Sequence, residues 1–239
     1  MNANRHPPVF VVLLAVWGGI AFSSVLHAAS FFAPSDADLS VLPAYCTARL
    51  KHPMGSPEWA RWERLLGPGF LHMHHYCFAQ NFIRHASLPS TKRTDRLGIY
   101  RMALGDLDYM LDKTPPNFLL RPEILVKKGQ TLAKIGNTAE AVRTLTAAIE
   151  AKPDWDGGYV ALSDFYRDLG KKGDAIAVAE KGFQVVPSSR PLARRLSELT
   201  GRAVAAGTPN QAPSPVTPPT PGASPDSADP GSAPPRATP

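Results

Sequence analysis

The sequence predicts an all-α protein: a short helical solenoid with a helical segment before it and a capping helix after it. Three observations carry that expectation. Windows 122–155 and 156–189 align without a gap, so the chain repeats with a step of 34 residues, with Gly136 matching Gly170 and Pro153 matching Pro187. Small residues recur at equivalent positions, Ala141 with Ala175 and Ala148 with Gly182. Glycine and proline punctuate each window where a helix must stop and the chain turn back. A helix–turn–helix unit of this length cannot bury its apolar face alone, so successive units must stack.

Each element of the window has a physical reason. Ala141, Ala148, Ala175 and Gly182 let two helices approach closely, because a larger side chain would push them apart. Gly136 and Gly170 sit where the first helix ends, which suits a residue without steric penalty at positive φ. Asn137 and Glu140 read as an N-cap and its reciprocal acceptor for the second helix. Pro153 and Pro187 close each unit. Leu132 and Tyr166, Ile135 and Leu169, Glu140 and Asp174, and Val142 and Ile176 complete the correspondence.

The pattern resembles tetratricopeptide (TPR) repeats. One copy matches through Tyr159-x2-Leu162-Ser163-x2-Tyr166, Ala175-x3-Ala179 and Pro187. The other matches through Leu125, Gly129, Leu132, Ala141, Leu145 and Pro153. Ser163 stands where the family has glycine, and Lys128 where it has leucine. A degraded third copy precedes these two, since Ala103, Leu107, Met110 and Pro115 reproduce the spacing of Ala141, Leu145, Ala148 and Pro153. The step from Ala103 to Ala141 is 38, so about four residues are inserted around 117–121. Its partner helix is expected either at 70–85 or in the front of 96–102. After Pro187, Leu192, Leu196 and Leu199 fall at helical spacing among Arg190, Arg194 and Arg195, as a terminal cap requires.

The ends have another character. One arginine, an apolar run over 8–26 and the small residues Ala28, Ala29 and Ser30 give residues 1–29 the layout of a secretory signal peptide. Leu26 makes the cleavage motif imperfect, and the run is long enough to span a bilayer, so a retained N-terminal membrane anchor is the alternative. Residues 204–239 hold nearly half of the 25 prolines among Ala, Ser, Thr and Gly, a composition expected to stay disordered. Between the ends lie a helical Cys/His segment, 30–95, and the TPR-like repeats with their cap, 96–203. The chain is expected in the periplasm or otherwise exported.

The net charge of +6 is scattered along the chain. No lysine–arginine block interleaves with aromatics, so nucleic acid is not an expected partner. No cofactor or catalytic motif is present: there is no Gly-rich phosphate loop, no Gly-x-Ser-x-Gly and no His-Glu-x-x-His. The protein is therefore not expected to be an enzyme.

The segment before the repeats holds both cysteines, in Tyr45-Cys46-Thr47-Ala48 and Tyr76-Cys77-Phe78-Ala79. In an exported chain the simplest reading is a disulfide between Cys46 and Cys77; two buried thiols are the alternative. Next to Cys77 stand His72, His74 and His75. On a helix His72 and His75 share a face and His74 points elsewhere. Two imidazoles supply half of a zinc site, and the other ligands would have to come from Cys46, Cys77, His85 or a carboxylate. Surface or packing histidines hydrogen-bonded to tyrosines or backbone are the expected reading, and no metal ligand set is assigned. A periplasmic metal-binding protein using the His72/His75 helix is the competing function. This segment, with Trp59, Trp62 and Gly67-Pro68-Gly69, also resembles the one preceding the repeats in exported bacterial TPR proteins.

The resemblance implies that the first helix of each hairpin lines a concave, ligand-facing surface. Glu123, Lys127 and Gln130 in one copy and Val160, Asp164 and Arg167 in the next are the candidate binding residues. Their mixed signs argue against a basic clamp for a peptide carboxylate, and the lysine/asparagine set of the chaperone-binding members is absent. The function expected is a non-catalytic interaction scaffold holding a peptide or protein of a bacterial cell-envelope assembly.

Overall fold

The computed structural model describes residues 33–207. The expected leader or anchor at 1–29 and residues 208–239 of the expected tail lie outside them. The helices are α1 (Asp36–Leu39), α2 (Ala44–Lys51), α3 (Pro57–Leu66), a 3-10 stretch (Gly67–His72), α4 (Met73–Ser87), α5 (Arg93–Lys113), α6 (Arg121–Lys134), α7 (Thr138–Ala151), α8 (Asp156–Asp168), α9 (Lys172–Val185) and α10 (Arg190–Thr200). α4 pairs with α5, α6 with α7 and α8 with α9, and α10 closes the stack against α8 and α9. The all-α, TPR-like solenoid predicted from the sequence is the fold observed.

The turns form as their residues dictate. Gly136 and Gly170 have φ of 81° and 73°. The amide of Gly136 donates to Ala133 O and that of Asn137 to Leu132 O, and Gly170 and Lys171 repeat the arrangement with Arg167 O and Tyr166 O. These paired bonds satisfy helix-end carbonyls that would otherwise be orphaned. Asn137 caps α7 by accepting from the Glu140 amide at 3.4 Å. The reciprocal half of that cap is not made, because the Asn137 amide is taken by Leu132 O and the Glu140 carboxylate turns to Arg143.

The small residues lie in the helix contacts. Ala141, Ala148 and Ala175 are fully buried. A Cβ built on Gly182 would stand 2.6 Å from the Tyr159 Cβ, so α8 and α9 touch closely there. The two departures from the repeat pattern each have a local cause. At the position of Gly129, where a Cβ would lie 2.6 Å from Leu145 Cγ, the next copy has Ser163. Its buried hydroxyl donates to Ala175 O across the hairpin at 2.8 Å. Lys128, standing for an apolar residue, reaches back to Asp108 on α5 at 2.7 Å.

The degraded hairpin is α4–α5, so the partner helix is the one expected at 70–85, beginning at Met73 after a 3-10 lead-in. α5 is one helix of 21 residues. It starts at Arg93, ahead of the expected segment boundary at 95/96, and the hairpin straddles that boundary. The inserted residues lie in the connection 114–120. There Phe118 is buried against Gly69, where an added Cβ would meet the ring at 2.6 Å. At the other end, the first residues assigned to the tail are docked. Val204 packs on the α8–α10 core and its amide donates to Ser197 Oγ, and the Gly207 amide donates to Pro187 O.

Candidate functional site

A cavity of about 460 Å³ is walled by α6 and α8 and bordered by α4 and α5. Four of the six candidate binding residues line it: Lys127 and Gln130 from α6, Asp164 and Arg167 from α8. Their positions follow from helical spacing, which puts residues three and four apart on one face. Glu123 and Val160 lie outside this cavity. Val160 is half-buried against the core shared by Tyr159, Ala179, Leu192 and Leu196. Glu123 sits nearer the N-terminal segment, where its charge reaches Tyr45 and Tyr76. Burial raises its carboxyl above the ordinary value, against the pull of Lys127 and Lys152.

Ile83, Ser87 and Tyr100 from the degraded hairpin also line the cavity and were not among the candidates. The signal that would have found them is the pairing of 70–85 with α5, which adds that hairpin to the cavity wall. Ser87 Oγ and Tyr100 OH, 3.3 Å apart, join α4 and α5 at its rim.

Asp164 is held from two sides. Arg167 Nη1 donates to it at 2.9 Å and Arg195 Nη2 at 2.8 Å. Arg195, almost buried on α10, also pairs with Glu198. Arg167 spans to Asp168 through Nε and Nη2, at 3.0 and 2.8 Å. The carboxylates on the α8 side are thus neutralised within the protein.

In the N-terminal segment Cys46 and Cys77 are bonded, Sγ–Sγ 2.06 Å and Cα–Cα 5.6 Å, tying α2 to α4. Both are fully buried. Tyr45 and Tyr76 stack beside the bridge, and burial pushes the Tyr45 phenol up to about 12, partly offset by the hydrogen bond from Gln80. The histidines look in two directions, as expected. His75 Nδ1 donates to Asp106 Oδ1 on α5 at 2.5 Å, and its ring lies 3.8 Å from that of Tyr109. His72 Nδ1 pairs with the Tyr109 hydroxyl at 3.2 Å. His74 turns to α2, accepting from Arg49 Nη2 at 3.0 Å. Burial, then the charges of Arg49 and His75, lower His74 to about 4. Burial also lowers His72, with His75, Lys113 and Arg49 adding to it, and raises Asp106 against the opposing hydrogen bond from His75. These contacts are what α4 needs to be clamped between α2 and α5. Among the described residues no group of three or more His, Cys, Asp or Glu side chains is placed to hold a metal ion. The thiolates that a Cys/His site would need are consumed in the disulfide.

Residues 122–154 match the model of the tetratricopeptide repeat family. That span is the first of the two aligned windows, α6–α7. A stretch of 117 residues is 30% identical to the Hsp70-Hsp90 organizing protein of Triticum aestivum, covering 49% of this chain and 19% of that protein. The chain therefore spans about a fifth of the length of this relative. Among the described residues no helix is long and apolar enough to cross a membrane.

Proposed function

We propose that the protein is a non-catalytic interaction scaffold that holds a segment of a partner protein in its concave groove. The observation that carries this reading is the cavity itself. It is assembled from the inward faces of consecutive hairpins and lined by Lys127, Gln130, Asp164 and Arg167 together with Tyr100 and Leu169. Mixed polar and aromatic lining suits a peptide, which offers backbone groups and side chains together. The repeat match and the likeness to a chaperone organizer support the same reading.

We further place the protein in the cell envelope, exported or held at a membrane by its N-terminal segment. Two features support this. The sequence opens with the layout of an export signal, and the Cys46–Cys77 bridge belongs to an oxidising compartment. The partner is then a peptide or protein of an envelope assembly.

Site-directed photo-crosslinking in the native host tests the groove. A crosslinker at Gln130 or Asp164 is expected to trap a partner that one at Arg143, exposed on α7, does not. Equal capture from both faces would remove the groove reading.

A further inference from the structure

Beside the groove cavity lies a second, of about 640 Å³, and the two share Ser87, Tyr100 and Lys134. The second is lined by Arg93, Arg96 and Lys134 around Leu97 and Tyr100, and no acidic residue takes part. Leu97 is 41% exposed, so this corner also offers apolar surface.

The cations here differ from those on the α8 side. Asp164 and Asp168 have their counter-charges in Arg167 and Arg195. Arg93, Lys127 and Lys134 form no ion pair among the described residues, and the charge of Lys127 acts on Glu123 one turn away. Arg96 is fixed without using a carboxylate, because its guanidinium donates to Thr91 O at 3.2 Å and Leu88 O at 3.3 Å. Mixed signs along the sequence therefore do not translate into a neutral groove. Its acids are spent internally, and its unspent charge is positive and gathered where α4, α5 and α6 meet. Cations converging in a concave site focus the field on an incoming anion.

We propose that the partner segment is acidic: an extended peptide stretch that sets side-chain carboxylates against Arg93, Arg96 and Lys134 and an apolar side chain on Leu97 and Tyr100. Guanidinium–carboxylate contacts are short, strong and directional, so Arg96, already held by two carbonyls, supplies a pre-oriented contact. This rests on the groove reading above and names the chemistry of its occupant.

The test is selection of random displayed peptides on the full chain, compared with R93E/K134E and with Gln130→Trp, which fills the groove cavity. Enriched peptides are expected to be rich in Asp and Glu. Their binding should weaken with salt and fall about tenfold or more on R93E/K134E, which sets like charges against the ligand. Neutral or basic enriched peptides, or acidic ones retained by R93E/K134E, would overturn the proposal. If neutral peptides are enriched and then lost on Gln130→Trp, the groove reading stands and only the acidic occupant fails. Failure to enrich any peptide overturns both. Should R93E/K134E not melt like the parent, Lys134→Gln supplies the same comparison with a milder change.

Discussion

Between α6 and α10 the helices meet at Ala141, Ala148, Ala175 and Gly182, residues with almost no side chain, so that the helices approach closely and the contact recurs from unit to unit. Between α1 and α5 they meet through large or reactive side chains brought from distant positions. Trp59 stands edge-on to Phe70, Cys46 is bonded to Cys77, His75 reaches Asp106, and Arg84 and His85 both reach Asp38. The first mode is periodic because each hairpin closes its own two helices through the same small positions. The second has no period, and each contact is specified once. A solenoid can therefore carry an irregular end, provided that end makes its own core and leaves one repeat-like face for the array to stack on.

Opening the bridge should give the largest effect. It closes a sequence separation of 31 residues, and reduction should lower the stability of the N-terminal half by about 3 kcal/mol. Denaturant melts with and without reductant measure this, and hydrogen exchange should show the loss concentrated in α2–α4. Two free thiols per chain in unreduced protein would break the comparison at its root.

The matching attack on the periodic half is Ala141→Leu or Ala175→Leu. Each forces a side chain into a closed helix contact and should cost about 1–3 kcal/mol. A set of such variants melting like the parent would mean that the small residues do not set the spacing of α6–α9.

Acid should separate the halves further, since all the described histidines lie before α5 and the repeats contain none. His74 has its ordinary value of 6.5 in the unfolded chain and about 4 in the fold. The unfolded state thus takes up the proton first as pH falls. The contribution is complete above about 6.5 and is lost progressively towards 4, amounting to about 1 kcal/mol once solvent screening is allowed for. His74→Gln should flatten that part of the stability–pH curve. An unchanged slope would shift the acid response to other groups.

The smallest effect concerns the docked end. A chain ending at residue 203 should be less stable than one ending at 207 by about 1 kcal/mol or less, the worth of the Val204 contact and of the amide bonds to Ser197 Oγ and Pro187 O. Identical melting curves would show those contacts to be incidental.

The halves also differ in how readable they were. The repeats could be read because a 34-residue step writes the same packing twice, and Gly136, Ala141 and Pro153 each have one physical reason to recur. The bridge followed from having only two cysteines to pair. The α1 contacts could not be read, since nothing local to Asp38 announces that Arg84 and His85 will reach it. The candidate site was half legible for the same reason. Lys127, Gln130, Asp164 and Arg167 came from helical spacing within the clear copies, whereas Tyr100 and Arg93 belong to a hairpin whose period is broken by the Phe118 insertion. The net sign of the groove was hidden too, because it depends on Arg195, which lies 31 residues after Asp164 and on another helix.

That last pair bears on how such an array could lengthen. A stacked array lengthens by adding a hairpin, and the junction just before the cap is one place for it. Here an extra hairpin inserted between α9 and α10 would carry Arg195 away from Asp164 and leave Asp164 and Asp168 to share Arg167 alone. The inside surface would change its electrical character although no lining residue had been altered. The length of this solenoid is thus tied to the sign of its interior, and duplication at that junction would yield a scaffold with different ligand preferences.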